Sequence, residues 1–149
     1  MKKAILMLLA VLLLSACQDS LYYTCYHNLP QSEWDSNDTI IFSIPPTEAD
    51  LDVALTLGVR STPTYQYSDL VARIEVLCDE KPLSSIPLTI NLYTDGQHQD
   101  ERTRLIDESC SRPQALHLQA QHQYTVRITH LMSLNPVPGI SSIGIIVEK

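Results

Sequence analysis

Glycine is scarce in this chain of 149 residues, with four in all, and phenylalanine and tryptophan occur once each. That excludes collagen-like and glycine-rich disordered classes. Basic residues are also few, 10 Lys+Arg against 17 Asp+Glu for a net charge of −7. An acidic chain lacks the basic face that nucleic-acid binding needs. There is no Cys-x-x-Cys pair, so a zinc ribbon or a thioredoxin-like site has no support. A Gly-x-Ser-x-Gly elbow is missing, and so is a phosphate-cradling glycine loop. The length suits one domain of ordinary size.

What is present begins at the first residues. Lys2 and Lys3 precede an unbroken apolar run over 4–14. Eleven residues fall short of the roughly 20 that a membrane-spanning helix needs, but they fit the core of a secretory signal peptide. The run ends in Leu14-Ser15-Ala16-Cys17, the pattern of a bacterial lipobox. There, small residues fit the signal peptidase pocket and the Cys17 thiol takes a diacylglycerol. An ordinary signal peptide beside a chance cysteine is the alternative. Lipidation makes 1–16 the signal peptide and Cys17 the anchor. Cleavage removes both lysines and leaves 8 basic against 17 acidic residues, net −9. Acyl chains on Cys17 and its new amino group satisfy the requirement for at least two lipid signals. No later apolar run is long enough to span.

Three further cysteines remain, Cys25, Cys78 and Cys110. An envelope compartment permits disulfides. If one bridge forms, Cys78 and Cys110 are the candidate pair, since both end or follow apolar stretches. The simpler reading leaves all three free.

Residues 17–36 read as a lipidated tether, although Tyr22, Tyr23, Tyr26 and Trp34 suit packing on the edge of a domain. The domain itself is expected over 37–149 and reads as β. Residues 39–44 are rich in β-branched residues and stop at Pro45-Pro46. Over 51–59 the chain alternates strictly, with Leu51, Val53, Leu55, Leu57 and Val59 on one face, the period of a half-buried strand. Residues 70–77 and 86–93 repeat the pattern, and Asp95-Gly96 supplies a turn. Residues 97–112 form the most polar stretch, read as a long hairpin or exposed loop. Short strands follow near Leu116 and Leu118 and over 124–130. A proline-rich loop at 135–139 leads to a final strand over 140–147, apolar on both faces as a central strand is. About eight strands with close turn signals and no amphipathic helix predict an antiparallel β-sandwich of jelly-roll type.

Catalytic chemistry finds little support. The histidines are His27, His98, His117, His122 and His130, and none pairs at the spacing of a zinc protease. His117 and His122 approach only if a tight turn joins them. His98 lies near Asp95, Asp100 and Glu101, where a solvated hairpin is the simpler reading than a cation loop. His130 falls on the apolar face of its strand, so a hydrogen-bonded core histidine is expected. The pairs Asp79-Glu80, Asp100-Glu101 and Asp107-Glu108 read as solvated charge. No catalytic residue, metal site or cofactor is assigned. Asn37-Asp38-Thr39 fits an Asn-linked glycosylation pattern, and Asp19-Ser20-Leu21 and Asp38-Thr39-Ile40 fit a short O-glycan pattern.

Two stretches, with the lipobox, resemble the gliding-motility lipoprotein family GldH. One is Arg60-Ser61-Thr62-Pro63-Thr64-Tyr65-Gln66-Tyr67-Ser68-Asp69-Leu70, similar to a strand ending in Arg, a polar turn and a Tyr-x-Tyr-Ser-Asn-Leu signature. Here Asp69 replaces the Asn, and Gln66 a frequent Pro. The other carries Tyr124, Ile128, His130, Met132, Gly139, Ile140, Ile143, Gly144 and Ile145 in the family's order. The stretch after Asp95 lacks the family's Trp-bearing segment, and Ser133 stands where a basic residue often follows the Met. The resemblance implies a lipid-anchored envelope protein grouped with the gliding machinery and its associated secretion system, and it implies no enzymatic activity or cofactor.

The resulting expectation is a noncatalytic lipoprotein, anchored to a membrane through Cys17, with the outer membrane as the expected location. Its partners are envelope proteins of a gliding or secretion assembly, with no nucleic acid and no small-molecule substrate. The motif residues first of all hold the fold: Tyr65 and Tyr67 flank a turn where a phenol can bond a backbone group. Arg60, Tyr65, Tyr67, His130 and Met132 are the candidate contact surface. The alternative is a surface glycan-binding or adhesive sandwich, for which Trp34, Tyr65 and Tyr67 are the few aromatic candidates. A hydrolase is the third and least supported reading.

Overall fold

The structure is a computed structural model and describes residues 20–92 and 107–149. The signal segment, Cys17, the Asp95-Gly96 turn and the His98 loop therefore lie outside the described residues.

Eleven strands occur among the described residues, two of them only two residues long. They are β1 (Leu21–Asn28), β2 (Glu33–Trp34), β3 (Ile40–Ile44), β4 (Leu51–Ser61), β5 (Asp69–Cys78), β6 (Lys81–Asn91), β7 (Asp107–Cys110), β8 (Gln114–Leu118), β9 (Tyr124–His130), β10 (Val137–Pro138) and β11 (Ile140–Glu148). One sheet has the order β1-β11-β4, with β7 and β8 both pairing the far edge of β4. The second runs β3-β9-β5-β6, and β2 pairs β10 in a small ribbon. All of these pairings are antiparallel.

The period-two pattern places the core. Val53, Leu55, Leu57 and Val59 of β4 are buried, as are Leu70, Ala72, Ile74 and Val76 of β5 and Ile40, Phe42 and Ile44 of β3. These residues from both sheets belong to one cluster, the two-layer arrangement that gives each sheet a dry face. Each such aliphatic side chain contributes about 1.5–3 kcal/mol of burial before entropy is charged. The expectation for 140–147 holds: β11 lies between β1 and β4, with Ile143, Ile145 and Val147 fully buried. β6 is different. Only Ile90 of it is buried, as suits an edge strand, and Lys81, Pro82 and Pro87 discourage further pairing there.

The tether reading needs correction. From Leu21 onward the lead-in is part of the domain, since β1 pairs with β11 from Leu21↔Glu148 to Asn28↔Ser142. Trp34 has no exposed surface at all. The half-apolar sequence Leu-Tyr-Tyr-Thr-Cys-Tyr-His-Asn hides this strand, because tyrosine and threonine serve a half-wet sheet edge as well as a linker. The polar stretch also contains structure: Asp107–Cys110 forms β7, held by β4. β10 interrupts the proline-rich loop. Cys25, Cys78 and Cys110 are free thiols. The Cys78–Cys110 bridge is not formed, and the two residues end strands in different sheets.

Candidate functional site

One end of the molecule is built from three interlocked loops, 29–39, 62–68 and 131–139. They follow β1, β4 and β9, so their anchoring strands fix where each begins. The Gly139 N–H donates to the Ser32 carbonyl at 2.8 Å, and the Thr62 N–H donates to the Gly139 carbonyl at 2.8 Å. One residue thus joins all three loops. Gly139 has φ +85°, and a Cβ there would run into the backbone of Tyr65. The local chain needs glycine on both counts.

The candidate contact residues divide into anchors and surface. Tyr65 is buried, and its hydroxyl donates to the Asp69 carbonyl at 2.6 Å. Burial, followed by the nearby Asp69 charge, pushes its phenol pKa well up. His130 is buried too, with its ring edge-on to Trp34 at 5.3 Å. Its Nε2 is 3.3 Å from Oδ1 of Asn135, and its Nδ1 accepts from the Met132 N–H at 3.3 Å. Burial lowers the His130 pKa, against the opposing pull of Asn135 and Asp35. Met132 is half-buried, and its Sδ lies 3.4 Å from the Val71 N–H. Tyr67 packs edge-on to Tyr65 at 5.6 Å yet remains 38% exposed.

Arg60 stands apart from these four. It lies on the outer face of the first sheet, with its guanidinium 4.0 Å from the Tyr26 ring centroid. Its Nε is 3.7 Å from Glu108, whose other carboxylate oxygen accepts from the Tyr26 hydroxyl at 2.5 Å. Tyr26 can lie there because it crosses Gly144 and Gly58, paired neighbours on β11 and β4.

Sequence reasoning missed the exposed apolar members of the loop end. Leu131 and Leu134 are 40% and 43% exposed and flank Met132. Their signal was the run Leu131-Met132-Ser133-Leu134, too apolar for a solvated loop. Asn135 was missed as well. It accepts the Ser36 N–H at 2.7 Å and reaches Asp35, whose pKa is lowered by the Asn37 backbone N–H and then by Asn135.

A shallow recess of about 440 Å³ opens on the outer face of the second sheet. Thr39, Ile41, Arg73, Glu75, Arg127 and Thr129 line it. None is aromatic, so the recess offers no stacking face for a sugar ring. At the opposite end from the interlocked loops, His117 Nδ1 sits 2.6 Å from Asp52, and His122 Nδ1 sits 2.6 Å from Asp79. His117 and His122 thus take separate carboxylate partners.

Such a molecule is an all-β domain whose distinctive surface is a set of locked loops. No helix among the described residues is long and apolar enough to cross a membrane. The chain belongs to the GldH lipoprotein family, whose model matches residues 21–147, from the first residue of β1 to the last but one of β11. The family is that of gliding-motility lipoproteins, lipid-anchored proteins of the cell envelope. No curated protein matches the chain.

Among solved structures, the chain is similar to part of dimeric latent PorU from Porphyromonas gingivalis, at 8% identity and TM-score 0.38 over 91% of this chain and 13% of that one. A CocE/NonD family hydrolase from Staphylococcus aureus gives 13% identity and TM-score 0.40 over 87% of this chain and 31% of that one. A family 35 carbohydrate-binding module from Clostridium thermocellum gives 10% identity and TM-score 0.34 over 76% and 95%. The chain therefore spans 13% and 31% of the lengths of the first two.

Proposed function

We propose that this chain is a noncatalytic lipoprotein held to the outer membrane by lipid on Cys17, and that its locked loop end docks another protein of a gliding- or secretion-related assembly. The strand order, β1-β11-β4 with β7 and β8 facing β3-β9-β5-β6, fits a jelly-roll sandwich. Such a fold sets rigid loops at one end of its sheets. The observation that carries the reading is the exposure of Tyr67, Leu131 and Leu134 on loops whose backbones are fixed by Gly139, Tyr65 and His130. A preorganised apolar rim loses little entropy on binding. Of the five candidate contact residues, Tyr67 makes contact, Tyr65, His130 and Met132 position the loops, and Arg60 belongs to a separate outer face.

A glycan-binding module is disfavoured by the recess, which lacks an aromatic lining, and by the burial of Trp34 and Tyr65. Two measurements test the proposal. A fatty-acid analogue labels the full chain and fails to label Cys17→Ala; retained label rejects the anchor. Mild crosslinking in membranes yields an adduct that Leu131→Asp with Leu134→Asp abolishes, while Leu83→Asp, on the exposed edge strand β6, leaves it intact. An adduct indifferent to the loop substitutions rejects the docking end.

A further inference from the structure

Two turns meet at the end of the molecule away from the locked loops. Asp79 and Glu80 form the two-residue turn between β5 and β6, both with positive φ, 48° and 67°. His122 sits in the turn between β8 and β9. The turns are tied together by the Asp79 N–H, which donates to the Gln123 carbonyl at 2.9 Å, and by the Gln123 N–H, which donates to Asp79 Oδ1 at 3.0 Å. Cys78, the last residue of β5, is the cross-strand partner of Tyr124. This frame brings three ligand atoms together. The Cys78 sulfur, an Asp79 carboxylate oxygen and a His122 ring nitrogen lie within 4.8 Å of one another.

We infer that Cys78, Asp79 and His122 form a binding site for a divalent metal ion of borderline softness, with zinc as the ion that suits this donor set best. One thiolate, one imidazole and one carboxylate are the ligand types zinc takes, and three protein ligands leave a fourth position for water. The side chains of His122 and Asp79 are 44% and 50% exposed, so an ion and its water can enter without opening the fold. His122 Nδ1 and Asp79 Oδ2 already face each other at 2.6 Å. The ion takes the place of the hydrogen bond between them, with the neutral His122 ring carrying its proton on Nε2, and the Cys78 thiol releases one proton as it ligates. Asp79 keeps its other oxygen on the Gln123 N–H, a contact that orients a ligating carboxylate from outside. The ligands come from turns 43 residues apart, Asp79 to His122, so the bound ion staples the β5–β6 turn to the β8–β9 connection at the end where β5 and β9 pair.

The test uses the full chain, purified in detergent with its thiols reduced, and cobalt(II) as the spectroscopic probe. The wild type should take up one cobalt per chain with a thiolate-to-metal charge-transfer band, and zinc should displace it. Zinc should also raise the melting temperature, as any ligand of the native state does. Cys78→Ser should abolish the band, and His122→Gln and Asp79→Asn should each weaken affinity by at least about tenfold. Cys110→Ser should leave all of this unchanged. No band in the wild type, or a band that survives Cys78→Ser but vanishes in Cys110→Ser, overturns the inference. Should Cys78→Ser fail to fold, the His122→Gln titration decides alone, since that side chain is half-exposed in a turn.

Discussion

The ring of His130 stands edge-on to that of Trp34, with centroids 5.3 Å apart and planes at 68°. Trp34 Nε1 donates to the Asp38 carbonyl at 3.0 Å, so the indole is packed on one side and tied at its polar tip. Trp34→Ala should therefore destabilise the domain by about 3–5 kcal/mol, measured by denaturant unfolding. A loss under about 1 kcal/mol, the size of a surface effect, would return this stretch to the status of a tether.

The same pair sets a pH response. The His130 pKa is lowered from its ordinary 6.5, chiefly by burial. A buried neutral base stabilises the fold fully above its unfolded pKa, and that stability is lost as pH falls through the lowered folded value. The melting temperature should thus drop as pH falls below 6.5, and His130→Gln should flatten this slope whatever it does to the absolute value. His117 acts with the opposite sign. Its pKa is raised by the hydrogen bond to Asp52, so its contribution is complete below 6.5 and lost as pH rises through the raised value. A His117→Gln chain should lose the small upper-range decline and keep the acid-side one; the reverse pattern rejects both assignments.

Gly139→Ala should cost about 1–3 kcal/mol for the left-handed backbone alone, with the collision against Tyr65 added. Because Gly139 joins the three loops, hydrogen exchange should quicken at the Thr62, Tyr65 and Gly139 amides ahead of those in the sheet centres. Uniform quickening throughout the domain would mean that the loops are not a separate cooperative unit.

On the outer face, Tyr26→Phe removes the bond to Glu108 and should cost about 0.5–1.5 kcal/mol. Arg60→Ala should cost about 0.5–1 kcal/mol through the cation–π contact. The two losses should not add, because both side chains meet Glu108. Additive values from a double-mutant cycle would show that the three groups do not act together.

The sequence made the inner faces legible wherever one side of a strand is dry. β4 and β5 alternate because every second side chain enters one core, and the central place of β11 between β1 and β4 showed in Ile145-Ile146-Val147. β1 and β7 were hidden because edge positions are half-wet and tolerate Tyr, Thr, Glu and Ser as readily as a linker does. Of the loop end, Tyr65 and His130 could be found and their anchoring roles anticipated. The division of labour could not, since whether Tyr65 or Tyr67 faces solvent depends on where Gly139 lies. Cys78, Asp79 and His122 come from turns that only the pairing of β5 with β9 brings together, and no local spacing encodes that.

Were Cys17 lipidated as proposed, the early start of β1 would constrain how the domain stands on the membrane. Only residues 18–20 separate Cys17 from Leu21, a leash of about 10–14 Å at full extension. β1 runs from there toward Asn28, which adjoins the locked loops. Eight residues of strand cover about 26 Å. With its lipid in place, the domain would stand upright on so short a leash, with the loop end outermost and the Cys78 turn turned toward the headgroups. A partner reaching Leu131 and Leu134 would then approach from the aqueous side, at a height above the bilayer set by the length of a single strand.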